Sequence, residues 1–101
     1  MIKNRLTNVA KSVLQYAQDA AQKFHHNYVG TEHILLGLVL NTDGIAGLLL
    51  NQLGLTPENV TRAIEQHVGW GQDTPSKLRL TPRTKRAMEL AVREANRLEQ
   101  N

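Results

Sequence analysis

The chain has 101 residues, 41% of them hydrophobic but only 4% aromatic, and no cysteine. That suits one small domain with an aliphatic core, and it excludes disulfides, thiol catalysis and cysteine-ligated zinc. The net charge of +3 is uneven: residues 1–76 carry five Lys/Arg against six Asp/Glu, residues 77–101 seven against three.

No apolar run is long enough to span a bilayer, because Asn41, Thr42 and Asp43 interrupt the longest. Met1-Ile2-Lys3-Asn4-Arg5 has no apolar stretch of signal-peptide type, so a soluble cytoplasmic domain is expected. Leu6, Val9, Val13, Leu14, Ala17, Ala20, Ala21 and Phe24 recur at helical spacing and predict a first helix over about 6–24. Thr7 or Asn8 is its expected cap, and His25 to Gly30 reads as a connection. A second helix is expected from Thr31, taken as its N-cap, through Ile34, Leu35, Leu38 and Val39. It is apolar nearly all round and should be central.

Asn41 to Gly44 reads as a turn, and a third helix is expected over Ile45 to Leu53, stopped by Gly54. Thr56-Pro57-Glu58 combines an N-cap, a first-turn proline and a first-turn acid, so a fourth helix starts there. It is expected to bury Val60, Ala63 and Ile64, with Val68 a fourth candidate, and to stop at Gly69. Residues 69–80 carry two glycines, a proline and no helical period, and read as a linker with Trp70 anchored on a core. Thr81-Pro82 repeats the start signal, and a last helix is expected to about Leu98. Its apolar face would hold Ala87, Met88, Ala91, Ala95 and Leu98. Nothing alternates with period two, so no strand is expected.

Residues 79–101 repeat residues 5–27 at an offset of 74. Arg5, Leu6, Thr7, Lys11, Ala17, Ala21 and Asn27 recur as Arg79, Leu80, Thr81, Lys85, Ala91, Ala95 and Asn101. Such spacing indicates stacked copies of one unit. The reading is a first repeat over 1–69, a linker over 70–80, and the first helix of a cut-short second repeat over 81–101. The last helix then lacks its natural partners, and a homodimer or helix exchange is expected.

Val29-Gly30-Thr31-Glu32-His33-Ile34-Leu35-Leu36-Gly37-Leu38 resembles the hallmark of the Clp amino-terminal repeat of Hsp100/Clp unfoldases, the ClpC branch above all. Arg5-Leu6-Thr7, Asp43-Gly44-Ile45-Ala46, Leu53-Gly54-Leu55 and Leu80-Thr81-Pro82-Arg83 extend the likeness over essentially the whole chain. The resemblance implies an all-α helical repeat. It also implies a non-catalytic module that docks adaptors and substrate proteins onto a Clp ATPase ring and its protease. In ClpC of Gram-positive bacteria the resemblance implies a receptor for phosphorylated arginine. By that resemblance Thr7 and Glu32 stand at the first repeat's pocket positions, Thr7 for the phosphate and Glu32 for the guanidinium. Thr81 stands at the second repeat's threonine, whose partner glutamate has no counterpart up to Asn101, so that pocket is expected to be crippled. Leu80 and Lys85 are carried over as adaptor contacts.

The chemistry suits such a ligand. A helix start offers amide N–H groups to phosphate, and Glu32 offers a carboxylate to a guanidinium. The plainer reading makes Thr7 and Thr31 caps and Glu32 a dipole-stabilising acid. No GxxxxGK[ST] phosphate loop is present, so no ATPase activity is expected of this chain, and no cofactor is expected. His25 and His26 are adjacent and cannot face one site from a helix, and His33 and His67 lack HExxH company, so no metal is expected. His33 reads as a hydrogen-bonded structural histidine. The rival class is nucleic-acid binding through Arg79, Arg83, Lys85 and Arg86. A third possibility is an accessory subunit that braces a Clp complex.

Overall fold

The computed structural model describes residues 8–72 and 78–99. In chain order the elements are α1 (Asn8–Lys23), β1 (Tyr28–Val29), α2 (Thr31–Leu40), α3 (Ile45–Gln52), α4 (Pro57–His67), β2 (Arg79–Leu80) and α5 (Pro82–Glu99). The fold is all-α with one short strand pair among the described residues.

The helix starts follow local chemistry. Thr56 accepts the Asn59 amide at 3.2 Å, with Pro57 at the first position of α4. Thr81 accepts the Thr84 amide at 3.1 Å ahead of Pro82 in α5. The start of α2 differs from expectation. Gly30 is the N-cap, in extended backbone, and Thr31 is already helical. Gly30 has no side chain to cap with, and the His33 ring accepts its amide instead. Gly54 and Gly69 follow α3 and α4 with positive φ of 95° and 80°, the left-handed stop that glycine permits.

The apolar stripe of α1 is its core face. Val13, Ala17, Ala20, Ala21 and Phe24 are buried, whereas Val9 at the start of the stripe is 44% exposed. Helix α2 is central, touching α1, α3, α4, α5 and β1. Its Gly37 makes the approach to α1 possible: a β-carbon there would stand 2.5 Å from the Val13 carbonyl oxygen. One core cluster joins Ala20, Phe24, Leu36, Val39, Val60 and Ile64. Ala17, Ala21 and Val29 form a second, covered by Ile34, Leu78 and Leu80. Buried Asn41 ties the turn after α2 to α1, donating to the Val9 carbonyl at 3.3 Å.

Three further expectations are corrected. Ala63 and Val68 are exposed, because only Val60 and Ile64 of α4 face α2. Strands exist: Tyr28 pairs with Arg79 and Val29 with Leu80, in parallel. Two residues are too few to show a period-two pattern, so alternation could not reveal them. Finally, Leu78 and Leu80, inside the stretch read as linker, pack on a core cluster. Trp70 does anchor that stretch. Its ring lies 4.7 Å from the Phe24 ring, although 53% of it stays exposed. Leu6, Thr7 and Lys77 fall outside the described residues, as do the side chains of Ala95 and Leu98.

Candidate functional site

The short strand pair sets two helix starts side by side. β1 leads into α2 and β2 leads into α5, and the Thr81 amide donates to the Val29 carbonyl at 3.1 Å. Gly30 to Glu32 and Thr81 to Thr84 therefore lie at the same end of the pair. Helix N-termini leave amide N–H groups without intrahelical partners and carry partial positive charge.

Glu32, in the first turn of α2, is half-buried. Its Oε2 accepts the Tyr28 hydroxyl at 3.0 Å. Its Oε1 folds over Gly30, where any β-carbon would collide with it. The Tyr28 phenol has a raised pKa, first through burial and then through its bond to Glu32 and that residue's charge. Tyr28 thus stays a donor, and it holds the carboxylate in one orientation. A carboxylate accepts several hydrogen bonds at once, so Glu32 keeps capacity for a cationic partner.

Thr81 sits at the other helix start, and its hydroxyl is fully engaged as donor. It gives its proton to Thr84 Oγ1 at 2.8 Å and accepts the Thr84 amide. Thr84 is completely buried, so this pairing is internal. What Thr81 offers an anion is the helix start rather than a free hydroxyl proton. Thr7 lies outside the described residues. Leu80 is half-buried against Ala17, Ala21 and Val29, so much of its surface is spent on packing. Lys85 is exposed, as are Arg79, Arg83 and Arg86 of the basic cluster. An apolar groove between α2 and α4, with Leu35, Leu55, Val60 and Ile64 in its lining, runs to Glu32 at its edge.

Beneath the site lies a histidine pair. His33 is completely buried and His26 nearly so. Their ring nitrogens stand 2.9 Å apart, and His33 Nδ1 accepts the Gly30 amide at 2.9 Å. The structural role expected of His33 is thus found. The pKa of His33 is lowered: burial dominates, Glu32 pulls the other way, and His26 adds to the lowering. Among the described residues no three His, Cys, Asp or Glu side chains are grouped to hold a metal ion.

Sequence reasoning missed Tyr28 and His26. Tyr28 precedes Glu32 by four residues, but a strand and a helix start intervene, so no helical spacing rule applied. His26 meets His33 only because the chain turns back at β1.

Comparison with known proteins agrees with this architecture. The family model for the Clp repeat (R) N-terminal domain matches residues 5–101. The ATP-dependent Clp protease ATP-binding subunit ClpC of Staphylococcus aureus, in strains USA300, MRSA252 and N315, is 41% identical over all 101 residues. The chain spans 12% of the length of each of these relatives. Family model, identity along the whole chain and all-α fold coincide: this chain belongs to the Clp N-terminal repeat family.

Proposed function

We propose that the chain is a non-catalytic docking domain of a ClpC-type unfoldase, working in the cytoplasm, and that it receives proteins marked by phosphoarginine. The observation that carries the reading is the strand pairing that sets Glu32 beside the start of α5. Phosphoarginine joins an anionic phosphoryl group to a guanidinium. A helix N-terminus favours the first and an oriented carboxylate the second. Glu32, held by Tyr28, takes the guanidinium, and the Thr81–Thr84 turn takes the phosphoryl group. Thr7 is the remaining family position for that role. Adaptors would dock along exposed Lys85 and the visible edge of Leu80.

The test is an amide NMR titration with free phosphoarginine, with phosphoserine and arginine as controls. Shifts are expected at Tyr28, at Gly30 to His33 and at Thr81 to Thr84. Glu32→Ala should weaken binding at least about tenfold, the loss of one charge-assisted bond pair. Unchanged affinity in that variant would remove the phosphoarginine reading and leave adaptor docking, to be checked by pull-down with the ATPase ring.

A second reading concerns self-association. Ala87, Leu90 and Ala91 of α5 are exposed, and Val13, Leu14, Ile34, Leu38 and Met88 line an apolar groove beside them. A second copy covering this face would make a homodimer. Sedimentation that stays monomeric up to millimolar concentration would exclude it.

A further inference from the structure

The contacts proposed for phosphoarginine use one edge of the groove between α2 and α4. The floor of that groove is Leu35, Val60 and Ile64, and the last two are buried in the core cluster under α2. Its walls are Leu55, Ala63 and Val68. All three are exposed, Leu55 to 40% and Val68 to 45%. The groove has a volume of about 270 Å³. An apolar cavity of about 150 Å³ holds benzene, so there is room here for a large aliphatic side chain.

The walls are held from behind. The Leu55 amide donates to the Leu50 carbonyl and the Val68 amide to the Ile64 carbonyl, both at 2.9 Å. The Asn59 side-chain amide donates to the Gly54 carbonyl at 2.9 Å. The turn before α4 and the end of α4 are thereby fixed, and a ligand entering the groove has little to reorder.

The neighbouring charge identifies the occupant. Among the described residues Glu32 is the one carboxylate in the lining, its orientation set by Tyr28, and no Lys or Arg lines the groove. Glu32 and Leu35 stand three apart on α2 and share a face. The apolar floor therefore begins within one helical turn, about 5.4 Å, of the carboxylate. An extended chain advances about 3.3–3.6 Å per residue. With a guanidinium held on Glu32, a side chain one to three residues away in the same chain reaches the groove. A charged side chain would lose its water against the aliphatic floor without gaining a partner there. An aliphatic one loses nothing and buries its surface.

We propose, resting on the phosphoarginine reading above, that the domain reads two features at once: a marked arginine on Glu32, and a large aliphatic side chain within three residues of it, seated in the α2–α4 groove. Folded proteins bury most such side chains, whereas unfolded segments present them. The site thus favours marked arginines in unfolded segments over marked arginines on folded surfaces.

The test uses the full chain and capped heptapeptides with phosphoarginine at the centre and glycine elsewhere. One glycine at a time is replaced by leucine or by the similarly shaped asparagine. At one position or more, leucine should tighten binding at least about fivefold over asparagine, part of what full burial of leucine provides. Amide NMR shifts should then extend from Gly30 to His33 into Leu55, Ala63 and Val68. Ala63→Gln and Val68→Asn, both at exposed positions, should erase the leucine advantage and leave the affinity for free phosphoarginine unchanged. Equal affinities for leucine and asparagine peptides, with free phosphoarginine still bound, would overturn the inference and leave the docking reading standing. A leucine advantage that survives both folded variants would overturn it too. So would a leucine peptide that binds as tightly with plain arginine as with phosphoarginine. No binding of free phosphoarginine would remove the docking reading and this inference with it. The peptide comparison and the shifts on the unaltered chain decide the matter even where a variant fails to fold.

Discussion

Helices α1 and α5 are sequence repeats of each other, yet two matched apolar positions differ in burial. Ala17 in α1 is completely buried, and its repeat mate Ala91 is exposed. Val13 is buried, and its mate Ala87 is exposed. Both segments have the apolar spacing of an amphipathic helix, and both form helices. The difference lies in their neighbours. α1 lies along α2 at a distance that Gly37 allows, whereas among the described residues α5 meets α2 less extensively and buries Thr84 of its first turn. A hydrophobic period specifies a helix and a face, and only a partner makes that face a core.

Substitutions at matched places sharpen this contrast. Phe24→Ala empties the cluster shared by α1, α2 and α4 and should cost about 3–5 kcal/mol in urea unfolding. Leu90→Ala, on the exposed side of α5, should cost well under about 1 kcal/mol. The repeat mates give the next test. Ala17→Leu overfills a closed site and should cost about 1–3 kcal/mol, while Ala91→Leu should stay within about 0.5 kcal/mol. Equal costs at the two positions would mean that α5 is buried in solution, by a second copy for instance.

Acid should act on the α1–α4 unit, where the histidine pair lies. The pKa of His33 is lowered below 6.5 by folding, so the unfolded chain binds the proton first as pH falls. Stability present above about pH 6.5 should decline as pH drops through the folded value, by at most about 1.4 kcal/mol per pH unit for this group. Denaturation midpoints between pH 8 and 4.5 check this. Thr81→Ala removes a cap worth about 1 kcal/mol, and amide exchange should quicken along α5 while α1 to α4 keep their protection.

Much of the fold was legible in the residues. Thr56-Pro57 and Thr81-Pro82 announce helix starts through local hydrogen bonds, and Gly54 and Gly69 announce stops through backbone freedom. The site was legible only in part. Glu32 stands out through the family pattern, but Tyr28, which orients its carboxylate, carries no local signal.

Helix positions, the Thr56 and Thr81 caps and the core face of α1 are local consequences of side-chain size, period and hydrogen-bonding groups, and they can be read from the residues alone. The strand pair, the Tyr28–Glu32 bond, the His26–His33 contact and the exposure of Ala87 and Ala91 join residues far apart in sequence or depend on which surfaces meet. Those arise when distant segments pack together, because local spacing says nothing about what will lie opposite a side chain.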